Sequence, residues 1–393
     1  MKPVFLFLGA GLLAVTAPAA PEAARISLNL RLRYENVEQT ALRNADALTL
    51  RTRLGFSPAP WQGWTALAEF ENVAPLDGDR YSQAGLNPGG AGRAVVADPE
   101  GTEINQAWVA YTTKAATLTA GRQRLVLDNA RFIGDVGWRQ NQQTFDACTL
   151  QDKSLPKTTL TYAWLERINR VFGDRHSQGY WRSNSHLLNA NYQGFAAGTL
   201  TVYAYLLDFR GAGAAQSNDT YGASFAGARP LNPAWKLTYR LAVATQADAG
   251  HSPLNYSANY RELEVGVSAK SGALAVGQEL LGSGHNVGFK TPLATLHAFN
   301  GWADLFLATP AAGLRDTFVR ASAALPAGAN AVASYHWYAT DQAAADPGRE
   351  FDAQLTRKFG ARVTGTLKYA NFRRDAAAYP NVQKIWIQAE FSY

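Results

Sequence analysis

The feature that most limits the fold of this chain is a strict two-residue alternation of apolar and polar side chains. In residues 25–36, RISLNLRLRYEN, Leu28 and Leu30 fall on one face, whereas Arg31 and Arg33 fall on the other. Because successive side chains of a β-strand point to opposite faces, such a strand has one apolar and one charged face. The pattern returns along the chain, so the sequence predicts repeated strands that separate an apolar medium from a polar one.

Segments with this pattern predict eighteen strands. One further segment, FNGWADLFLA at 299–308, has the length of a strand, but bacterial single-chain barrels contain an even number of strands. Pro292 and Pro310 also bracket it, so we assign it to a long loop at 283–313 and expect a short helical turn there. The predicted strands lie near residues 25–36, 47–58, 63–73, 103–113, 116–127, 143–153, 157–171, 185–194, 199–210, 219–229, 234–246, 258–270, 272–282, 314–325, 329–341, 349–359, 363–374 and 382–393.

The connections between the predicted strands are alternately short and long. Short ones such as 58–62 and long ones such as 74–102 would lie on opposite sides, as periplasmic turns and extracellular loops do. In a soluble β-sandwich the apolar faces would pack on a second sheet, whereas in an outer-membrane barrel they contact lipid and the polar faces line the lumen. The sequence therefore predicts an all-β fold, a transmembrane antiparallel β-barrel of about 18 strands in the bacterial outer membrane.

The ends and the composition of the chain limit its chemistry. Residues 1–19 carry a basic start, an apolar stretch and an Ala-Pro-Ala site, so they predict a signal peptide cleaved near Ala19, with the barrel spanning 20–393. The net charge of +6 is too small to suggest nucleic-acid binding. Cys148 is the only cysteine, which excludes an intramolecular disulfide, and we expect no metal and no cofactor.

An irregular, arginine-rich segment at 121–147 interrupts the regular strands. It shows neither helical periodicity nor sustained alternation, and it contains too many Trp, Phe, Val and Ile residues for a disordered linker. We interpret it as a loop that folds into the barrel, where its charges would line the passage. The alternative is an ordinary surface loop. Its charged and polar side chains include Arg122, Arg124, Asp128, Asn129, Arg131 and Arg139.

Charges on the inward faces of the predicted strands nearly balance in sign but are locally separated. Four arginines share one wall on the first two strands, and like charges on neighbouring strands oppose stability, which favours a functional role. A guanidinium fork also matches a carboxylate. The alternative is that the ions only pair across neighbouring strands. The candidate pore-lining residues on the strands are Arg31, Arg33, Arg51, Arg53, Arg240 and Arg320.

Three stretches resemble the alginate-export family of outer-membrane proteins: LRTRLGF at 50–56, GRQR…DN.R…G..W.QN..TFDA at 121–147, and TPLATLHAFNGWADLFLATPAAGLRD at 291–316. The resemblance implies a barrel that passes an anionic uronate polysaccharide outward through an arginine-lined, loop-gated pore. It makes outer-membrane lipid, anionic carbohydrate or small anionic solutes, and periplasmic export proteins the expected partners. It also adds Trp302 and Asp304 to the pore candidates. Whether loop 121–147 or loop 283–313 forms the constriction stays open at this point.

Two other functions are compatible with the same residues. The near balance of inward charge departs from what a dedicated polyuronate exporter should show, and it favours a general, weakly anion-selective porin for small solutes. An outer-membrane enzyme is the second alternative. None of the six histidines lies in an H-E-x-x-H or G-x-S-x-G context, so we expect no enzymatic activity and no catalytic residues.

Overall fold

The computed structural model of the protein describes residues 23–342 and 345–393, so the predicted signal peptide at 1–19 lies outside the described residues. They form eighteen long strands, which we number β1 to β18. The strands are β1 Arg25–Gln39, β2 Ala45–Ser57, β3 Trp64–Pro75, β4 Gly101–Thr112, β5 Ala116–Gln123, β6 Thr144–Asp152, β7 Thr158–Asn169, β8 Tyr180–Phe195, β9 Gly198–Leu207, β10 Asn218–Pro230, β11 Lys236–Asp248, β12 Ser257–Ala269, β13 Gly272–Leu281, β14 Leu314–Leu325, β15 Ala329–Ala339, β16 Gly348–Phe359, β17 Val363–Arg374 and β18 Val382–Ser392.

Only short elements accompany these strands among the described residues. No helix there has both the length and the apolar character needed to cross a membrane. The short elements are the two-residue strands Phe209–Arg210, Ser283–Gly284 and Val287–Gly288, and the 3-10 helices Gly78–Arg80, Pro88–Gly90, Gly211–Gln216 and Pro326–Gly328.

The eighteen strands close into one antiparallel barrel. Each strand pairs with its neighbours in sequence, and β1 also pairs with β18 in a register that runs from Asn29 opposite Ser392 to Gln39 opposite Val382. This last pairing removes both free edges of the sheet, so no row of backbone groups in the barrel wall is left for lipid to face. The predicted fold class is therefore confirmed.

Two details of the prediction are wrong. The strand predicted at 116–127 ends at Gln123, because the chain bends into the barrel from Arg124 onward. The segment 299–308 lies in the long loop, as predicted, but it forms turns instead of a helical turn. Its backbone takes positive φ values of 55° at Asn300 and 62° at Asp304, and these left-handed residues interrupt any helical hydrogen-bond series.

The two faces of the barrel wall have opposite character. Outward side chains such as Leu263 and Val276 are 51% and 58% exposed in the isolated chain, so lipid must cover them in the membrane. Inward charged side chains such as Arg33 and Glu35 are only 1% and 0% exposed. Residues outside the eighteen strands must therefore fill much of the lumen and bury these side chains.

A charge placed on the outward face at mid-strand tests this orientation. We expect Leu263→Arg to cost about 2–4 kcal/mol of unfolding free energy, because the guanidinium would enter the hydrocarbon layer. Leu274→Arg, at the periplasmic end of β13, is the matched control and should cost only about 0–1 kcal/mol. Reversible urea unfolding in lipid vesicles measures both values. Equal costs at the two sites would contradict the placement of Leu263 in the membrane interior.

Two loops fill the lumen. The first inward loop (residues 124–143) connects β5 to β6, and the second inward loop (residues 282–313) connects β13 to β14. Their apolar residues form a core inside the barrel, in which Phe132 packs edge-on against Tyr260 and Phe289, with ring centroids 5.2 and 6.0 Å away. This core fixes the depth at which the charged residues of both loops are held.

Candidate functional site

The two inward loops meet inside the barrel and hydrogen-bond to each other. The Gly134 amide donates to the Leu293 carbonyl at 2.7 Å, and the Thr295 amide donates to the Ala130 carbonyl at 3.0 Å. A Cβ at Gly134 would lie 2.8 Å from the Thr295 nitrogen, so this approach requires glycine. Both loops thus narrow the lumen together.

Arg131 ties the first inward loop to the wall and to the second loop. Its guanidinium donates to both carboxylate oxygens of Glu279 on β13, at 2.5 and 3.1 Å, and to the Asn300 side chain at 3.0 Å. It also lies over the Phe299 ring at 4.7 Å. The side chain is 2% exposed, so this candidate acts as an internal brace in the structure and offers little surface to a solute.

Arg139 is the second brace and joins three parts of the chain. It donates to Glu35 on β1 at 3.1 Å and to Asp304 of the second inward loop at 2.8 Å, and it lies 3.8 Å from Asp98. Asp98 belongs to the long connection between β3 and β4. The candidate Asp304 has a second basic partner, since Lys384 on β18 also donates to it at 2.8 Å.

An aromatic stack surrounds His297 next to this brace. The imidazole lies parallel to the Trp138 ring at 4.8 Å and receives a hydrogen bond on Nε2 from Lys368 at 2.7 Å. Nδ1 must then carry the proton, and it donates to Asp304 at 2.6 Å. Burial lowers the pKa of His297 to about 3, although Asp304 works in the other direction. The residue is neutral at physiological pH, where it orients Asp304 without adding charge.

Trp302 lies on the other side of the same ammonium group. The Lys368 nitrogen sits 3.6 Å from the centroid of the Trp302 ring and 4.2 Å from that of Trp138. The Trp302 amide donates to Asp352 of β16 at 3.3 Å. Trp302 is thus packed into the stack that holds the second inward loop against the wall.

Three of the four arginines of β1 and β2 hold the first inward loop. Arg31 donates to the carbonyls of three consecutive loop residues from Gly137 to Arg139, at 3.2, 3.2 and 3.3 Å. Arg33 donates to the Trp138 carbonyl at 2.6 Å and stacks on that ring at 4.2 Å, and Arg53 reaches the Gln140 carbonyl at 3.5 Å. These contacts explain why like charges are gathered on one wall: they face the carbonyl ends of a turn.

Each of these arginines also has an acidic neighbour. Arg31 and Arg51 both donate to Glu390 of β18, at 3.1 and 3.2 Å. Arg33 lies 3.6 Å from Asp98, and Arg53 is hydrogen-bonded to Glu71. Three carboxylates thus offset most of the charge of the four arginines, and burial removes Arg33 and Arg51 from solvent, both at 1% exposure. This arrangement corresponds to the alternative in which the inward charges pair across neighbouring strands.

Arg122 does not lie in the lumen, and its assignment to the pore is wrong. It follows Leu118 and Ala120 on the outward face of β5, where it pairs in register with Asp146 and donates to it at 2.6 and 3.0 Å. The strand and its alternation continue to Gln123, so Arg122 belongs to the barrel wall and not to the inward loop. Arg124 is the first residue of the inward loop and donates to Asp135 at 2.9 Å.

The remaining candidates are two residues of the first inward loop and two arginines of the barrel wall. Asp128 accepts a hydrogen bond from Asn189 on β8 at 2.9 Å, and Asn129 follows it as an exposed loop residue. Arg240 on β11 donates to Glu262 at 2.8 Å. The side chain of Arg320 on β14 is 42% exposed and lies 3.7 Å from Glu264. Basic and acidic groups thus alternate on this wall as well.

Comparison with known proteins identifies the family. A model of the family described as alginate export matches residues 23–247, more than half of the chain. The chain belongs to the alginate export family. No curated protein matches this sequence.

This alginate export family member also resembles solved porins. The structure of OpdK from Pseudomonas aeruginosa with vanillate superposes with a TM-score of 0.71 at 16% identity, covering 94% of this chain and 98% of that one. OccAB4 from Acinetobacter baumannii gives 0.72 at 12% identity, covering 96% and 100%. Identities this low show the fold alone. Barrel, family and neighbours together make the protein an outer-membrane porin or channel.

The structure contains a cavity above the constriction, which we call the vestibule. The sequence did not predict it. A cavity of about 490 Å³ opens between the second inward loop and the β7–β8 loop, and Arg170 and Lys290 both line it. Arg170 falls at the end of the strand predicted at 157–171, but the observed strand ends at Asn169, and Lys290 lies in no recognisable motif, so the sequence did not mark either residue as a site. Trp138, His297 and Lys368 were missed for a different reason: they gain their roles only through contact with distant parts of the chain.

Proposed function

We propose that the protein is a diffusion channel for small solutes that carry carboxylates, such as sugar acids, short oligouronates and simple organic acids. The observation that carries this proposal is the pair of vestibule cations, Arg170 and Lys290. Among the described residues, neither has a carboxylate within ion-pair distance, in contrast to the braced arginines below them. The lumen braces are internally neutralised, so the attraction for anions comes from the vestibule.

Neutral groups hold the Arg170 guanidinium in place at the vestibule. Its guanidinium donates to the Gln178 carbonyl at 3.3 Å and lies 4.0 Å from the Trp181 ring centroid, while Nε has no hydrogen-bond partner. Burial lowers the pKa of Arg170 to about 10, so the group stays charged at neutral pH. A guanidinium that lines an open cavity and has no acidic neighbour is a favourable site for a solute carboxylate.

Lys290 supplies the second positive charge on the same cavity. Its ammonium group donates to the Ala215 carbonyl and lies 5.3 Å from the centroid of the Tyr256 ring. Burial lowers the pKa of Lys290, whereas the charge of Asp248 works in the other direction. Channel sites must bind well enough to admit a solute and weakly enough to release it. A cavity of about 490 Å³ suits a solute of one or a few sugar units.

Export of a long polyuronate is the second candidate, and the family match supports it. A polymer needs a continuous opening, and the braces at Arg131 and Arg139 hold both inward loops across the lumen. Polymer export would therefore require those loops to be released. The vanillate in the OpdK structure is a small carboxylate, which supports small carboxylates over a long polymer as the solutes of this channel.

Neutralising the vestibule cations tests the proposal. In planar bilayers, R170Q/K290Q is expected to lower the anion preference of the reversal potential and to raise the glucuronate concentration for half-block about tenfold or more. R175Q is the matched control, because Arg175 lies in the same loop but does not line the cavity. Unchanged glucuronate block in R170Q/K290Q would refute the vestibule site. Translocation of a long polyuronate by the wild-type channel, without loop release, would favour the export function.

A further inference from the structure

A row of charged residues crosses five neighbouring strands on the outer surface of the barrel, outside the lumen. Adjacent members are direct partners in the strand register, from β5 through β8 to the short strand Phe209–Arg210. The members, in spatial order, are Arg122, Asp146, Arg167, Arg182 and Arg210. Four of the five are arginines.

The rows below show that this charged row faces away from the lumen. Towards the periplasm, the register pairs Trp164 with His186 and Tyr162 with Leu188, and Tyr162 and Leu188 are 38% and 47% exposed on the outer surface. On β8, Leu188 lies six residues from Arg182, which corresponds to about 20 Å along the strand. Exposed Trp and Tyr side chains mark the membrane interface of outer-membrane barrels, so the charged row lies at the headgroup level of the outer leaflet.

The charge of the row is only partly compensated. Arg122 pairs with Asp146 at 2.6 Å, and Arg167 pairs with Asp174 of the β7–β8 loop at 2.5 Å. Arg182 and Arg210 face each other directly across the strand pair, and among the described residues neither has a carboxylate within ion-pair distance. Directly opposed like charges destabilise a strand pair unless an anion lies between them.

One more acidic side chain lines the surface cavity beside this pair. The cavity measures about 760 Å³ and is lined by Glu166, Tyr180 and Asn184 in addition to members of the row. The carboxylates of Asp146, Glu166, Asp174 and Glu103 therefore lie near the four arginines. Two of these carboxylates are already bound to arginines, so the open end of the row, at Arg182 and Arg210, keeps an excess of positive charge.

An apolar groove lies directly below the row on the same outer surface. It encloses about 950 Å³ and runs across β6 to β11. Small residues at its floor, such as Ala190 and Ala204, leave a hollow between the larger side chains of Leu160, Leu188 and Tyr221. A concave apolar surface of this kind accepts acyl chains more closely than a flat barrel wall does.

We propose that the row and the groove together bind one lipid of the outer leaflet, a phosphorylated glycolipid with several acyl chains. The lipid phosphate would lie between Arg182 and Arg210, whose guanidinium forks match phosphate oxygens. The acyl chains would descend over Trp164 and Tyr162 into the groove. The vertical order of cations, aromatic rings and apolar hollow reproduces the order of phosphate, sugar and chains in such a lipid.

Native mass spectrometry of the full-length barrel in detergent, titrated with diphosphorylated lipid A, tests the proposal. R182Q/R210Q should bind this lipid about 30-fold more weakly, given the usual contribution of two interfacial arginines. The same variant should bind dephosphorylated lipid A as the wild type does. A204W, which fills the groove and leaves every arginine in place, should weaken binding of both lipids.

The matched control is R349Q/R373Q, which removes an opposed outward arginine pair on β16 and β17, on a different part of the barrel wall. If this control weakens lipid A binding as much as R182Q/R210Q does, the attraction is general and the site is refuted. Full displacement of lipid A by inorganic phosphate would assign the arginines to a soluble anion and would also refute the lipid. Because Arg182 and Arg210 are exposed, both variants should retain the heat-modifiable folded barrel.

Discussion

Replacing Arg139 with methionine is expected to loosen both inward loops and to lower the unfolding free energy by about 3–5 kcal/mol, the usual result of removing one partner from a buried ion pair. The change leaves Glu35 and Asp98, both 0% exposed, without their shared cation. Asp304 keeps only Lys384 and His297. Water must then enter to solvate the carboxylates, and single-channel conductance should rise because the loops no longer hold each other across the lumen.

Arg124 provides the control for this prediction. It lies in the same loop and pairs with a single carboxylate, Asp135, but its side chain is 49% exposed. Solvent screens such a pair, so Arg124→Met should cost at most about 1 kcal/mol. Chemical unfolding in vesicles and conductance in planar bilayers measure the two effects. If Arg139→Met keeps the stability and conductance of Arg124→Met, the loops are held by the aromatic core and not by the brace.

The barrel could be predicted from sequence because its signal is local. A strand in a membrane barrel must alternate, and ten residues of RISLNLRLRY suffice to show which face is apolar. The same parity rule, applied beyond Gly121, would have placed Arg122 on the outer surface with Leu118. The unusual composition of 121–147 indicates an irregular segment, but composition does not determine where a strand ends.

The interior of the barrel could not be predicted in the same way. Arg139 and Glu35 are separated by 104 residues, and Arg31 and Glu390 by 359. Alternation shows that such residues face inward, but it does not show which of them meet. The prediction of an arginine-rich wall therefore identified the correct side chains on β1 and β2. It did not identify the carbonyls and carboxylates to which these arginines are bound.

This pairing changes what a neutralising substitution does to selectivity. Arg53→Gln removes one positive charge and leaves Glu71 unpaired, so the local charge becomes −1 where the pair was neutral. The channel should then shift its reversal potential towards cations, and the shift should shrink in high salt because screening shortens the reach of the unpaired carboxylate. Replacing Arg51, Arg53, Arg131 and Arg139 together should shift it further for the same reason.

The double variant R53Q/E71Q shows whether the cation shift comes from the unpaired Glu71 carboxylate or from the loss of the Arg53 charge itself. It removes the pair as a unit and leaves no net change in charge, so the reversal potential should return to the wild-type value at both low and high salt. If the double variant instead keeps the cation shift of Arg53→Gln, the arginine itself attracts anions and its pairing with Glu71 does not hold in the open channel. Recovery would mean that the wall of β1 and β2 supports the inward loop, and that anion preference has to arise at cations without acidic partners, such as Arg170 and Lys290.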